Sequence, residues 1–140
     1  LKDPSVIGAD KGILLRVPAM ETFNQCNIML GFRTSSIPFA DTYTSIQTGL
    51  VDGASGVPAN LFYLLYRDVI KYFYDYQQVQ EATSILINKE AFDKLLPEDQ
   101  EAIRTIIQRK CAESIKLAEA DEATYKNLLR DDGIKVIEVT

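Results

Sequence analysis

The chain has 140 residues, 46% of them hydrophobic and 25% charged, with a formal net charge of −5. That composition predicts one soluble globular domain able to bury roughly 68–70% of its unfolded surface, and the acidic balance argues against nucleic acid, which wants a basic face. The absence of histidine removes Ser-His-Asp and Cys-His catalysis and histidine-based zinc sites together, and Cys26 and Cys111 alone make neither a disulfide framework nor a metal cluster.

The start, Leu1-Lys2-Asp3-Pro4, is neither a signal peptide nor an initiating methionine, so a fragment or processed product is expected, with residues 1–10 as a linker or hinge remnant. No apolar run approaches the roughly 20 residues that span a bilayer. Residues 11–18 read K-G-I-L-L-R-V-P. Gly12 turns the chain in, residues 13–17 are apolar and partly β-branched, and Pro18 stops the ladder, which predicts a strand. Arg16 is its one charge. An arginine cannot shed that charge, and burying it without an anion costs several kcal/mol. Its planar fork of donors fits a carboxylate bidentately. A strand-end arginine in an apolar frame is thus a candidate anion site; the plainer alternatives are a structural ion pair or a side chain that snorkels to the surface.

A helix follows over 20–30, with Met20, Phe23, Asn27 and Leu30 at helical spacing and Gly31 where a C-cap belongs. Residues 33–38 are short and extended. A second helix over 40–50 places Tyr43, Ile46 and Leu50 on one face, and 51–57, with Gly53 and Gly56, is extended again. Strands separated by helices of this length predict an α/β lobe with a parallel sheet flanked by helices. In such sheets ligands gather at the carboxyl ends of the strands, which would bring Arg16, Pro38 with Phe39, and residues 54–56 to one crevice.

The middle of the chain is rich in aromatics: Phe62, Tyr63, Tyr66, Tyr72, Phe73, Tyr74 and Tyr76 surround a helical-looking segment over 66–73. They suit a core edge or interface, or a ligand cleft. Residues 79–88 read as a strand. Pro97 followed by Glu98, Asp99 and Glu101 marks a helix start. From there Ile103, Ile107, Cys111, Ile115, Ala118, Tyr125 and Leu129 form one apolar stripe, and Asp132-Gly133 ends the helix near Arg130. Its length, roughly 50 Å, exceeds the width of about 30 Å of a compact domain this size. The stripe should therefore be partly uncovered, or covered by another copy in a homodimer or domain swap. Both cysteines are expected on hidden apolar faces. A final strand covers 134–139.

Four segments in this order, K-G-I-L-L-R-V-P at 11–18, P-F-A-D-T-Y-T-S-I-Q-T-G-L-V-D-G at 38–53, R-D-V-I-K-Y at 67–72 and I-N-K-E-A-F-D-K-L-L-P-E-D-Q at 87–100, resemble the C-terminal half of the solute-binding subunit of tripartite ATP-independent periplasmic (TRAP) transporters, the DctP-type receptors. The resemblance implies a periplasmic-binding-protein-like α/β fold, a periplasmic location, and two lobes that close on a small organic acid and pass it to TRAP membrane permease subunits. It implies neither catalysis nor a cofactor or metal. Residues 11–88 would be the ligand-binding lobe, and 89–140 a long helix and terminal strand completing the receptor, with the N-terminal lobe absent. In the family, the arginine of the R-V-P strand bridges to the ligand carboxylate and an aromatic residue packs on the ligand; Arg16 and Phe39 match them. The polar or aromatic contacts after the Asp-Gly pair correspond to Ala54, Ser55 and Gly56. The sequence departs there, since relatives often carry Asn, Glu or Trp at the last two of these positions.

Two other classes fit the residues less well. One is an enzyme holding a carboxylate substrate on Arg16, with Asp41, Asp52 or Asp68 as general base. The other is a helical and aromatic protein-interaction module.

Overall fold

The computed structural model describes residues 7–77 and 84–139. Their contacts fall into two compact units, one within 1–79 and 124–140 and the other within 80–123. In the first unit, three parallel strands form a sheet of order β2-β1-β3: β1 Leu14–Val17, β2 Arg33–Ser36 and β3 Gly53–Ala54. The central strand is the apolar run bounded by Gly12 and Pro18, as its composition demands of a strand with neighbours on both sides. Helix α1, Glu21–Met29, connects β1 to β2, and a 3₁₀ turn, Phe39–Asp41, leads from β2 into α2, Thr42–Gln47.

Helix α1 closes as the glycine at 31 requires. The Gly31 amide donates to the Ile28 carbonyl and the Phe32 amide to that of Asn27, with Gly31 at φ +92°, the paired bonds of a Schellman cap. The buried Lys11 ammonium reaches the Leu30 carbonyl at the same helix end and lies 5.0 Å from the Phe32 ring, where a cation suits the helix dipole.

Helix α2 is shorter than the period predicts. It stops at Gln47 and leaves Leu50 exposed. Its buried side consists of Thr42 and Ser45, whose hydroxyls donate to the carbonyls of Pro38 and Asp41 at 3.4 and 2.7 Å. The expected helix over 66–73 is also absent. Helix α3, Ala59–Tyr66, ends there, and after a turn the chain becomes β4, Tyr72–Asp75. The reason is a change of period: Phe62 and Tyr66 are one helical turn apart and face the core, whereas in β4 Phe73 points to the core while Tyr72 and Tyr74 stack at 6.1 Å.

Strand β4 pairs in parallel with β5, Lys135–Glu138. Ala59, Phe62, Tyr66, Phe73, Leu129 and Ile134 form the core between them, with the Phe62 and Phe73 rings edge to face at 5.3 Å. Asp75 accepts from the Lys126 ammonium at the rim of this core, where both side chains are largely buried. The residues grouped by sequence as 89–140 thus divide between the two units, because the last turns of the long helix and β5 pack on α3 and β4.

In the second unit, the expected strand over 79–88 lies partly outside the described residues, and over 84–88 the backbone is irregular and exposed. Asn88 caps α4, Lys89–Asp93, through its Oδ1 and the Ala91 amide. Helix α5, Pro97–Asp131, has 35 residues, about 50 Å. Its apolar stripe is uncovered at its centre: every residue in 108–121 is exposed, Ile115 by 62%, whereas Leu129 is fully buried. Cys111 is exposed rather than hidden, and Cys26 is half-buried.

The cap at Gly31 yields a stability test. A Cβ there would stand 2.0 Å from the Ala9 carbonyl oxygen, whereas one at Gly49, also at positive φ, would meet nothing within 4 Å. Gly31→Ala should cost roughly 2–4 kcal/mol and Gly49→Ala about 1 kcal/mol, the latter from backbone strain alone. Urea midpoints at unchanged slope measure both; equal shifts would show that the Ala9 contact does not matter.

Candidate functional site

Because β1, β2 and β3 are parallel, their carboxyl ends share one edge of the sheet, and Pro18, Ile37 and Ser55 follow them directly. Arg16 occupies the central strand one residue before its end, in register with Ser35 of β2 and Ala54 of β3. Its Nε donates to the Ile37 carbonyl at 2.8 Å, and its Cζ lies 5.7 Å from the centre of the Phe39 ring. Arg16 is only 4% exposed. Burial pulls its pKa down, and the phenol of Tyr66 partly offsets this; an arginine keeps its charge throughout the physiological range regardless.

Among the described residues no carboxylate lies within ion-pair distance of this guanidinium. The structural ion pair that the sequence left open is thus not formed by them, and the side chain does not snorkel out. A bond from Nε to a backbone carbonyl fixes the guanidinium plane and leaves the Nη1 and Nη2 edge as the fork to offer.

Phe39 is brought to Arg16 by Pro38, whose φ of −52° and ψ of 146° turn the chain out of β2 into the 3₁₀ turn. The ring is 48% exposed, with one edge toward Tyr66 at 6.5 Å, so an apolar wall stands beside the cation. Ala54 packs against the aromatic core. The Ser55 amide donates to the Arg16 carbonyl at 2.8 Å, and Ser55 is buried. That amide is consumed in extending the sheet and cannot also serve a ligand. Gly56 turns away at φ +78°, against Pro18 and Phe23. Arg16, Phe39, Ala54 and Ser55 are therefore joined by direct contacts or ladder register, while Gly56 faces the α1 side.

Two contributors escaped the sequence. The Ile37 carbonyl is backbone, for which no side-chain pattern speaks. Tyr66 was one of seven clustered aromatics, and only its place at the end of α3 singles it out. Two of the three aspartates considered as bases have carboxylates that serve local structure: Asp52 accepts from the Leu14 amide at 2.7 Å and Asp68 from the Tyr43 hydroxyl at 2.6 Å, while at Asp41 the backbone carbonyl accepts from Ser45. The bond to Asp68 raises the Tyr43 pKa. Among the described residues no cluster of histidine, cysteine, aspartate or glutamate is set to hold a metal ion, and no helix is long and apolar enough to cross a membrane.

This architecture is shared with known proteins. The family model described as bacterial extracellular solute-binding protein, family 7 (DctP), matches residues 9–140. The chain belongs to that family. It is 28% identical to the C4-dicarboxylate-binding periplasmic protein DctP of Rhodobacter capsulatus, over 87% of this chain and 37% of that protein. To the sialic acid-binding periplasmic protein SiaP of Vibrio cholerae it is 23% identical, over 90% and 39%. A TRAP periplasmic solute-binding protein from a Sulfitobacter species, solved with β-D-galacturonate, superimposes on all of this chain and 46% of its own, with a TM-score of 0.73 at 28% identity. An open, ligand-free relative from Escherichia fergusonii reaches 0.85 at 18% identity, a likeness of fold alone. The chain spans less than half the length of these relatives.

The bare backbone at position 56 is held by its surroundings. A Cβ on Gly56 would stand 2.9 Å from Phe23 Cε1 and from Pro18 Cγ and Cδ, so a side chain has no room there. Gly56→Asn should destabilise by about 1–3 kcal/mol through overpacking and backbone strain, and Gly56→Asn with Phe23→Ala should show less than additive loss. A double-mutant cycle by thermal or urea melts checks this; full additivity would show that Phe23 is not the obstacle.

Proposed function

We propose that residues 11–88 are the ligand-holding lobe of a periplasmic receptor that captures a small organic acid for a TRAP-type secondary transporter. On this reading 1–10 belong to a hinge, and 89–140 complete a two-lobed molecule whose partners are the membrane permease subunits. The observation that carries it is the Arg16 guanidinium, buried on the central strand with its Nε fixed by Ile37 and no carboxylate of the described residues beside it. Such a charge is poorly tolerated unless an anion visits it, and a carboxylate is the anion that fits its remaining fork. Phe39 supplies an apolar face for the carbon skeleton next to the charged end. Family membership supports the same reading, with relatives described as binding a C4-dicarboxylate, sialic acid and galacturonate. Catalysis has no part in this scheme, nor has a cofactor.

In the full-length protein containing these residues, Arg16→Ala should leave folding largely intact and cost roughly 2–5 kcal/mol of binding to the cognate acid, on the order of thirtyfold to several thousandfold in affinity. Arg16→Lys keeps the charge without the fork and should fall between mutant and wild type. Calorimetric titration paired with thermal melts separates this from a structural role, in which the melting temperature drops while affinity per folded molecule is unchanged.

The exposed Ile106, Ile115 and Leu117 of α5 favour a compatible second reading, that copies of this chain associate through the helix as a homodimer or domain swap. Sedimentation of the 140-residue chain should show mass above that of a monomer as concentration rises. A monomer throughout would remove this reading and leave the receptor assignment standing.

A further inference from the structure

A count of hydrogen-bonding groups around Phe39 finds two left over. Arg16 carries five N–H donors. One, on Nε, is taken by the Ile37 carbonyl, and among the described residues nothing accepts from Nη1 or Nη2. Tyr66 is the second case. It is 2% exposed, its ring lies edge-on to Phe62 at 5.8 Å and to Phe39 at 6.5 Å, and its hydroxyl meets neither donor nor acceptor among the described residues. Buried phenols nearly always have a partner, because a polar group withdrawn from water without one is costly. Phe39 therefore neighbours two buried groups with unused donors, the guanidinium over its ring and the Tyr66 ring inclined at 68° to it.

We propose that Tyr66 is a second ligand-binding residue, its hydroxyl donating a hydrogen bond to the carboxylate that Arg16 holds end-on through Nη1 and Nη2. The inference rests on the receptor reading above and adds a residue to it. A carboxylate has about four lone-pair sites, so two bonds from the fork leave room for the phenol. The arrangement gives one acid group two anchors from different elements, β1 and the last turn of α3, with Phe39 fixing the angle between them. It also distinguishes a carboxylate from a spherical anion such as chloride, which cannot accept from a planar fork and an off-axis hydroxyl in the same way.

The test is calorimetric titration of the full-length protein with succinate, D-glucuronate, D-galacturonate and N-acetylneuraminate, comparing wild type, Tyr66→Phe and Arg16→Ala. Tyr66→Phe keeps the ring and loses only the hydroxyl. For an acid that the wild type binds, it should weaken affinity on the order of tenfold to a hundredfold, the range for a hydrogen bond to a charged group. Its melting temperature without ligand should be unchanged or higher, since a buried hydroxyl lacking a partner has been removed. Unchanged affinity in Tyr66→Phe together with a large loss in Arg16→Ala would overturn the role of Tyr66 and spare the receptor reading. A lowered melting temperature with unchanged affinity would make the hydroxyl structural and overturn it equally. Unchanged affinity in Arg16→Ala, or no response of the wild type to any of the four acids, would overturn the receptor reading and this inference with it.

Discussion

A permanent positive charge sits on the middle strand of a parallel sheet, almost wholly withdrawn from solvent, and much of the first unit follows from holding it there. In the centre of a sheet Arg16 has a strand on each side, in register with Ser35 and Ala54, and its carbonyl accepts from the Ser55 amide. Its side chain is oriented by a carbonyl from the residue just past β2, and an aromatic ring from the following turn covers it. These restraints come from two connections, Ile37 and Phe39 from the segment that follows β2 and Ser55 from the one that follows β3. The parallel order makes them converge, since parallel strands deliver all their carboxyl ends to one edge. An antiparallel hairpin of the same sequence would send alternate ends to opposite edges and separate Phe39 from Arg16.

Much of this was legible in the residues. The strand over 14–17 announces itself by an apolar run between Gly12 and Pro18, and α5 by Pro97 at its start and Gly133 past its end. The parallel sheet follows from the alternation of short extended runs with helices. What resisted reading has physical causes. Helix α2 buries Thr42 and Ser45, whose hydroxyls bond to carbonyls one turn back; a hydrophobic period cannot see a face made of such residues. The segment 66–73 reads as helical, yet α3 stops at Tyr66 and tertiary pairing with β5 draws Tyr72–Asp75 into a strand. At the site, Arg16 and Phe39 could be picked out by residue type and position. Ile37 acts through its backbone, and Tyr66 is distinguished from its aromatic neighbours only by where α3 stops.

The comparisons and the geometry bear on different levels. Membership of the family rests on a match along nearly the whole chain. It carries the α/β architecture and the extracellular solute-binding character of the group. A fold does not choose a ligand, however. Proteins of this architecture have been solved with a hexuronate and with sn-glycerol-3-phosphate, one a carboxylate and the other a phosphate. In this chain the groups around the fork of Arg16 are the Ile37 carbonyl and the Phe39 ring.

Gly56 carries a packing constraint of its own. The space beyond its Cα is occupied by Pro18 and Phe23, one ending the strand that carries Arg16 and the other on the first helix. A lineage that replaced this glycine by a polar residue would first have to shrink or move Phe23, a buried residue of α1. A polar side chain at 56 therefore requires an ordered pair of steps, packing before polarity, and the intermediate carries a cavity. The same epistasis run backward means that once Phe23 fills the gap, a chain is committed to a bare backbone at 56.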